Sequence, residues 1–244
     1  MNHLGMGGWL LLLAFLTSVA GSTVGLACTL QARYATHRRA QISWLVLAAV
    51  SIGGVGIWLM HFVAMLGFET PGFPVRYDIP RTLLSAVLSV SAVFLGLLVV
   101  RGRNAVWRLA LGGIITGLAV NLMHWTGMWA LRIKGHLTYD MQLVGLSVLI
   151  AVVAATAALW FTTAIDKSAY RMVAGVVMGI AVTGMHYTGM AAIHAHLDPA
   201  APDPAGVEVF TFLFPVFVLG ATALAIAIYA ALMAESHLEK SVPT

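Results

Sequence analysis

Seven stretches of this chain, residues 9–30, 43–68, 82–100, 109–131, 141–165, 172–193 and 209–233, contain no Asp, Glu, Lys or Arg. A helix needs about 20 apolar residues to cross a hydrocarbon core of roughly 30 Å, and backbone placed there must satisfy its own hydrogen bonds. Each stretch therefore predicts a transmembrane helix. Only 9% of the 244 residues are charged, against about a quarter in soluble domains, so a soluble globular domain is excluded. The expected fold class is an all-α membrane protein with seven transmembrane helices. Short connections make residues 1–244 one membrane domain, with a final span at 209–233 and a short tail at 234–244.

Lys and Arg are retained on the cytoplasmic side of membrane proteins. Arg33, Arg38, Arg39, Arg101, Arg103, Arg108, Lys167, Arg171 and Lys240 fall on one side, whereas Arg76, Arg81, Arg132 and Lys134 fall on the other. The amino terminus is thus expected outside and the carboxyl terminus in the cytoplasm. A cleaved signal is the rival reading of the first span, but the first 32 residues supply no basic n-region. The net charge of +4 sits in these loop clusters, so it reads as membrane orientation rather than a nucleic-acid surface. A lone Cys28 excludes a disulfide framework and Cys-based zinc motifs.

Residues 54–65, 117–128 and 179–190 align without gaps, and each contains Met-His-aromatic-x-(Ala or Gly)-Met. His61, His124 and His186 are separated by two spans each, at about 9–68, 82–131 and 141–193, so successive copies share one orientation. The architecture expected is three parallel two-helix repeats plus a final helix. All three motifs lie near the carboxyl ends of spans two, four and six, in the outer half of the bilayer.

On a helix, a His and the Met four residues later share a face. His61 with Met65, His124 with Met128, and His186 with Met190 are imidazole–thioether pairs of the kind that suits copper, Cu(I) above all. Met60, Met123 and Met185, just before each His, extend the candidate ligand set. The bland alternative is a core filled by Met with histidines bonding between helices. With twelve Met and nine His, Met-His-x-x-x-Met is expected about 0.02 times by chance, and three copies favour a shared functional site. Trp58, Asn121 and Thr183, one turn before each His, either fix the imidazole tautomer or bond helix to helix. Phe62, Trp125 and Tyr187 either wall the site or belong to an interfacial belt. Ala64, Gly127 and Gly189 are read as permitting close helix approach. Were spans two, four and six neighbours at about 8–10 Å, inward imidazoles would not fit between them; the spans are expected to splay at their outer ends, or to point His61, His124 and His186 obliquely toward the outer surface, opening a cavity for a metal and a small ligand.

Histidines concentrate on the outer side: His3, His61, His124, His136, His186, His194 and His196, against His37 and His237 inside. His194 and His196 with Asp198 form a candidate entry site, or an ordinary polar connector. A free amino terminus followed by Asn2 and His3 could hold Cu(II).

With its motifs on spans two, four and six of seven, and a third copy reading Met185-His186-Tyr187-Thr188, the chain resembles the MHYT family of bacterial integral-membrane sensors. The resemblance covers nearly the whole chain. It implies a domain whose Met, His and aromatic residues near the outer face bind one or two copper ions and sense a diatomic gas, O2, CO or NO. Copies one and two read Met-His-Phe-Val and Met-His-Trp-Thr, so a Tyr hydroxyl is not required in all three. Family members often continue into cyclic-dinucleotide or histidine-kinase domains. Here the final span is followed only by residues 234–244, so either the signal passes to a separate cytoplasmic signalling protein, or the chain is not a sensor, or it is a piece of a longer one; copper and the lipid bilayer are the other expected partners.

The leading function is a copper-binding membrane sensor, responding to a diatomic gas or to redox state. The alternative is a copper-handling or transport protein, which should continue the Met-His path through the inner halves of the spans; these offer Gly and aliphatics. A haem carrier is a third reading, though the histidines share one level instead of stacking across the membrane. No nucleophile–base pair, phosphate loop or metalloprotease motif points to an enzyme.

Overall fold

A computed structural model describes residues 8–68, 70, 72–101 and 105–240, with side chains described to residue 234. His3 and the amino-terminal copper site lie outside these residues, as does Arg103; so do the side chains of His237 and Lys240. The seven apolar stretches form α1 (Gly8–Tyr34), α2 (Arg38–Met65), α3 (Ile79–Val100), α4 (Val106–Ala130), α5 (Met141–Ala164), α6 (Ser168–Ala191) and α7 (Val209–Lys240). Most of them outrun the charge-free stretches by a turn or so, because a helix needs no apolar residue once its end reaches the headgroups.

Each helix packs on the next from α1 to α6, and α6 returns to α1. The first six helices thus close a ring in which the motif-bearing α2, α4 and α6 alternate with α1, α3 and α5. The seventh, α7, packs on the outside of this ring against α1 and α2. Without a hydrophobic drive between helices in lipid, close packing depends on small residues. A methyl group at Gly21 of α1 would lie 2.4 Å from the backbone nitrogen of Gly56 in α2, so the two backbones touch.

Around this contact α2 departs from the sequence expectation of an ordinary helix: residues Val50–Leu59 wind as a π-helix. Three glycines, Gly53, Gly54 and Gly56, lower the steric cost of the wider turn, and Ser89 of α3 donates its hydroxyl to the Gly53 carbonyl at 2.7 Å. π-Segments are rare and concentrate at functional sites. This one ends just before His61.

The connections at the motif end are not plain loops. Strand β1 (Arg76–Tyr77) pairs with β2 (Leu131–Arg132), and β3 (Gly135–Tyr139) pairs with β4 (Ile193–Leu197), both antiparallel. The segments before α3 and α5 thus clamp onto the ends of the motif helices that follow, α4 and α6: Asp78 N–H donates to the Ala130 carbonyl at 2.9 Å, and Asp140 N–H to that of Ala192 at 2.8 Å. Both carboxylates then cap a helix, Asp78 accepting from Arg81 N–H and Asp140 from Gln142 and Leu143 N–H. The Arg81 amide and the Arg132 guanidinium hold the Asp78 carboxyl below its ordinary pKa. A carboxyl with a lowered folded pKa stabilises the fold above its unfolded value, about 3.9, and loses that contribution as pH falls through the folded value. Asp78→Asn is therefore expected to melt earlier than the parent at pH 7 and alike at pH 2–3; a gap that persists in acid would assign the effect to packing.

Candidate metal centre

The carboxyl-terminal turns of α2, α4 and α6 carry the motif, and the ring brings their histidines to its axis. His61, His124 and His186 are fully buried, at 0–1% exposure. The imidazoles meet edge to face, with centroids 4.9–5.2 Å apart and planes within a few degrees of perpendicular. Their Nδ1 atoms converge: His61 to His186 is 3.0 Å and His124 to His61 is 3.3 Å. This overturns the expectation of splayed helices around an open cavity. Around the ring the odd helices intervene between the motif helices and hold them far enough apart to leave room for three inward imidazoles.

Three nitrogens so placed either share a proton in an Nδ1–H···Nδ1 bond, one ring donating and its neighbour accepting, or face a cation. If every ring keeps its proton on Nε2, three Nδ1 lone pairs face one another; if every proton sits on Nδ1, three hydrogens collide. Ligands at about 2.0 Å from a tetrahedral or trigonal ion stand roughly 3.3–3.5 Å from one another, close to the observed separations. Among the described residues, these three form the cluster of His, Cys, Asp or Glu whose ligand atoms, all within 4.8 Å of one another, are arranged to hold a metal ion.

The Nε2 atoms of all three rings are buried without a hydrogen-bond partner. Their surroundings reassign the motif's small residue. A methyl group on Gly127 of α4 would lie 2.6 Å from His61 Nε2, and one on Gly189 of α6 would lie 2.5 Å from His124 Nε2. These glycines therefore make room for the imidazole of the preceding repeat, rather than serving helix approach in general. Ala64 holds the corresponding position in the first copy. Gly189→Ala should accordingly destabilise the protein by about 1–3 kcal/mol through overpacking, read as a lower melting temperature in detergent; an unchanged value would mean that the His124 ring has space to move.

The six motif methionines, Met60, Met65, Met123, Met128, Met185 and Met190, are all buried, none more than 6% exposed. Phe62, Trp125 and Tyr187 stand edge-on to the imidazole beside each of them, centroids 4.9–5.1 Å away, and so wall the cluster. Phe62 is covered in turn by Tyr77 and by Phe212 of α7 at 5.9 and 5.5 Å, and Trp125 by Tyr139 at 5.3 Å. The residues one turn earlier bond helix to helix: Trp58 Nε1 donates to Ser85 Oγ at 2.9 Å and Asn121 Nδ2 to Ser147 Oγ at 3.1 Å, while Asn121 Oδ1 accepts from Trp125 Nε1 at 2.8 Å. Thr183 Oγ1 is buried without a partner. Fixing an imidazole tautomer is thus not what Trp58 and Asn121 do with these donors.

Ser85, Ser147, Tyr77 and Tyr139 were not evident as site residues from the motif. The signal was the dipeptide Tyr-Asp, at Tyr77-Asp78 and again at Tyr139-Asp140, a second repeat in step with the first. Below the histidines, toward the other end of the ring, lies a cavity of about 50 Å3 lined by Ile57, Val93, Leu97, Val120, Ala155 and Met185 among others.

Residues 54–113 and 117–175 each match the MHYT repeat, described as the bacterial signalling protein N-terminal repeat. The chain belongs to the MHYT family. It is 45% identical over 160 residues to the bifunctional diguanylate cyclase/cyclic di-GMP phosphodiesterase MucR of Pseudomonas aeruginosa, covering 63% of this chain and 23% of that protein. It is 31% identical over 246 aligned residues to the signaling protein YkoW of Bacillus subtilis, covering 98% of this chain and 30% of the other. With the cyclic di-GMP phosphodiesterase NbdA of Pseudomonas aeruginosa it shares 36% identity over 166 residues, 65% of this chain and 21% of that one. The MHYT chain spans less than a third of the length of these relatives. No solved structure matches it. Seven spans and this kinship make it a multi-pass protein of the bacterial cytoplasmic membrane, with three buried histidines able to hold a metal.

Proposed function

We propose that this MHYT protein is the membrane-embedded sensing part of a signalling system, with copper held by His61, His124 and His186 at the ring axis. The observation that carries the reading is the approach of His61 Nδ1 to those of His186 and His124, at 3.0 and 3.3 Å, with all three rings fully buried. Six buried thioethers next to or one turn after the histidines in sequence favour Cu(I) over zinc or iron, and the absence of a carboxylate from the cluster argues against magnesium or calcium. Copper would supply a redox-active ion with affinity for O2, CO or NO. The chain's own part is to hold the imidazoles edge to face, exclude water with Phe62, Trp125 and Tyr187, and pass any shift of α2 to α7 through the Phe62–Phe212 contact. The reader of that shift would be a cytoplasmic signalling protein, joined to the chain or separate.

A copper-transport role is the alternative. The cavity beneath the cluster is aliphatic apart from Thr116, Thr162, Met178 and Met185, a poor path for an ion and a reason to favour sensing. Metal analysis with an absorption spectrum of detergent-purified protein is the direct test: about one copper per chain is expected, whereas haem bands or no metal would reject the assignment. The basic residues at the chain ends of α1, α3 and α5 predict that the motif end faces outward. A reporter fused after Thr244 should be active in the cytoplasm, and activity in the periplasm would reverse the orientation.

A further inference from the structure

The strand pairing creates a second histidine cluster that neither the motif nor the kinship predicts. In β3 and β4, His136 and His196 are direct cross-strand partners, and His194 stands opposite Thr138. Side chains two residues apart on a strand point the same way, so His136, His194, His196 and Thr138 share one face, and all four are exposed. The His136 and His196 rings lie 5.0 Å apart at 16°. Thr138 Oγ1 stands 3.0 Å from His196 Nε2, which fixes that ring's orientation. Both ends of the ribbon are tied by backbone bonds, Asp140 N–H to Ala192 and Asp198 N–H to Lys134. Asp198, expected beside His194 and His196 in an entry site, uses its carboxylate to accept from Ala200 N–H at 2.9 Å. His136, distant in sequence, takes its place.

We propose that this face is a binding site for a divalent transition ion, with His136 and His196 as the principal ligands and His194 as the third. The buried cluster supplies a gauge: imidazoles with centroids 4.9–5.1 Å apart there bring nitrogens to 3.0–3.3 Å. The His136 and His196 rings stand at the same centroid distance but stacked, so one ion can bridge them once the exposed His136 ring rotates while Thr138 holds that of His196. Donors here are imidazole and water, with no motif thioether, so the site suits Cu(II) or Zn(II) and not Cu(I). It is a surface site for the oxidised or divalent ion, set above a buried centre of softer character, and it stands whether or not that centre holds copper.

The test is titration of the full chain in detergent with Cu(II), and separately with Zn(II), in a weakly chelating buffer. The parent is compared with His136→Ala, with His194→Ala and with the His136→Ala/His196→Ala pair. The parent should bind one Cu(II) more than the paired variant, with nitrogen hyperfine structure in its electron paramagnetic resonance spectrum. His136→Ala should weaken that ion at least tenfold and His194→Ala less. His61→Ala should leave it unchanged, which separates this site from the buried one. Equal stoichiometry and affinity in the parent and the paired variant, for both ions, would overturn the proposal.

Discussion

Replacing any one of His61, His124 and His186 by Ala is expected to remove most of the copper affinity, with little further loss in the triple variant. Groups that act on one ion are coupled, and their losses do not add. Losing a bond that merely orients a ligand costs about 10–100-fold in metal affinity, so losing a ligand from a three-nitrogen site should cost about 100-fold or more. The chelator concentration that strips half of the Cu(I) gives the measure. Each imidazole reaches the axis from a different repeat, and the closest nitrogens are 3.0 Å apart, too near for independent ions. If each single variant lost a third of the copper and kept the rest as tightly, three separate sites would be required and the shared centre would be wrong.

Changing Met65, Met128 and Met190 together to Leu should lower Cu(I) retention about tenfold or more while the fold persists. Leu fills nearly the same volume as Met and lacks only the thioether. All three side chains are buried, each one turn after its histidine, so the change tests donor chemistry without opening a void. The imidazoles remain, and retention of Cu(II) or Zn(II) should fall less than that of Cu(I). Unaltered Cu(I) retention with intact helical content would remove the thioethers from the ligand set.

Much of the fold was legible because a membrane leaves a chain few options. Charge-free length alone located all seven helices to within a few residues, and the spacing of His61, His124 and His186 gave their common depth. What stayed hidden depended on helix order around the axis. Nothing in the spacing says that α6 returns to α1, and without that closure the three motif helices read as a triangle of direct neighbours, which demands splayed ends or oblique histidines. The pairing of His136 with His196 was hidden for a similar reason, since their 60-residue separation is bridged only when β3 meets β4. Gly127 and Gly189 were visible as small residues, yet their task belongs to a histidine on another repeat, and no local pattern reports it. The π-turn in α2 left a local trace, Gly53, Gly54 and Gly56, that reads equally well as ordinary helix packing.

The contact of His61 with Gly127 and of His124 with Gly189 means that a repeat finishes its neighbour and not itself. One two-helix hairpin bearing a single motif would be incomplete alone. It would complete a centre only as a cyclic trimer, three identical hairpins about one axis. Three copies joined in tandem are the covalent form of that trimer, in which assembly no longer depends on dilution because linkage holds the partners at an effective concentration near millimolar. Linkage also frees the copies to differ. Phe62, Trp125 and Tyr187 have diverged around a conserved arrangement, and α7 takes up the groove beside one repeat only, a choice closed to any assembly of identical chains.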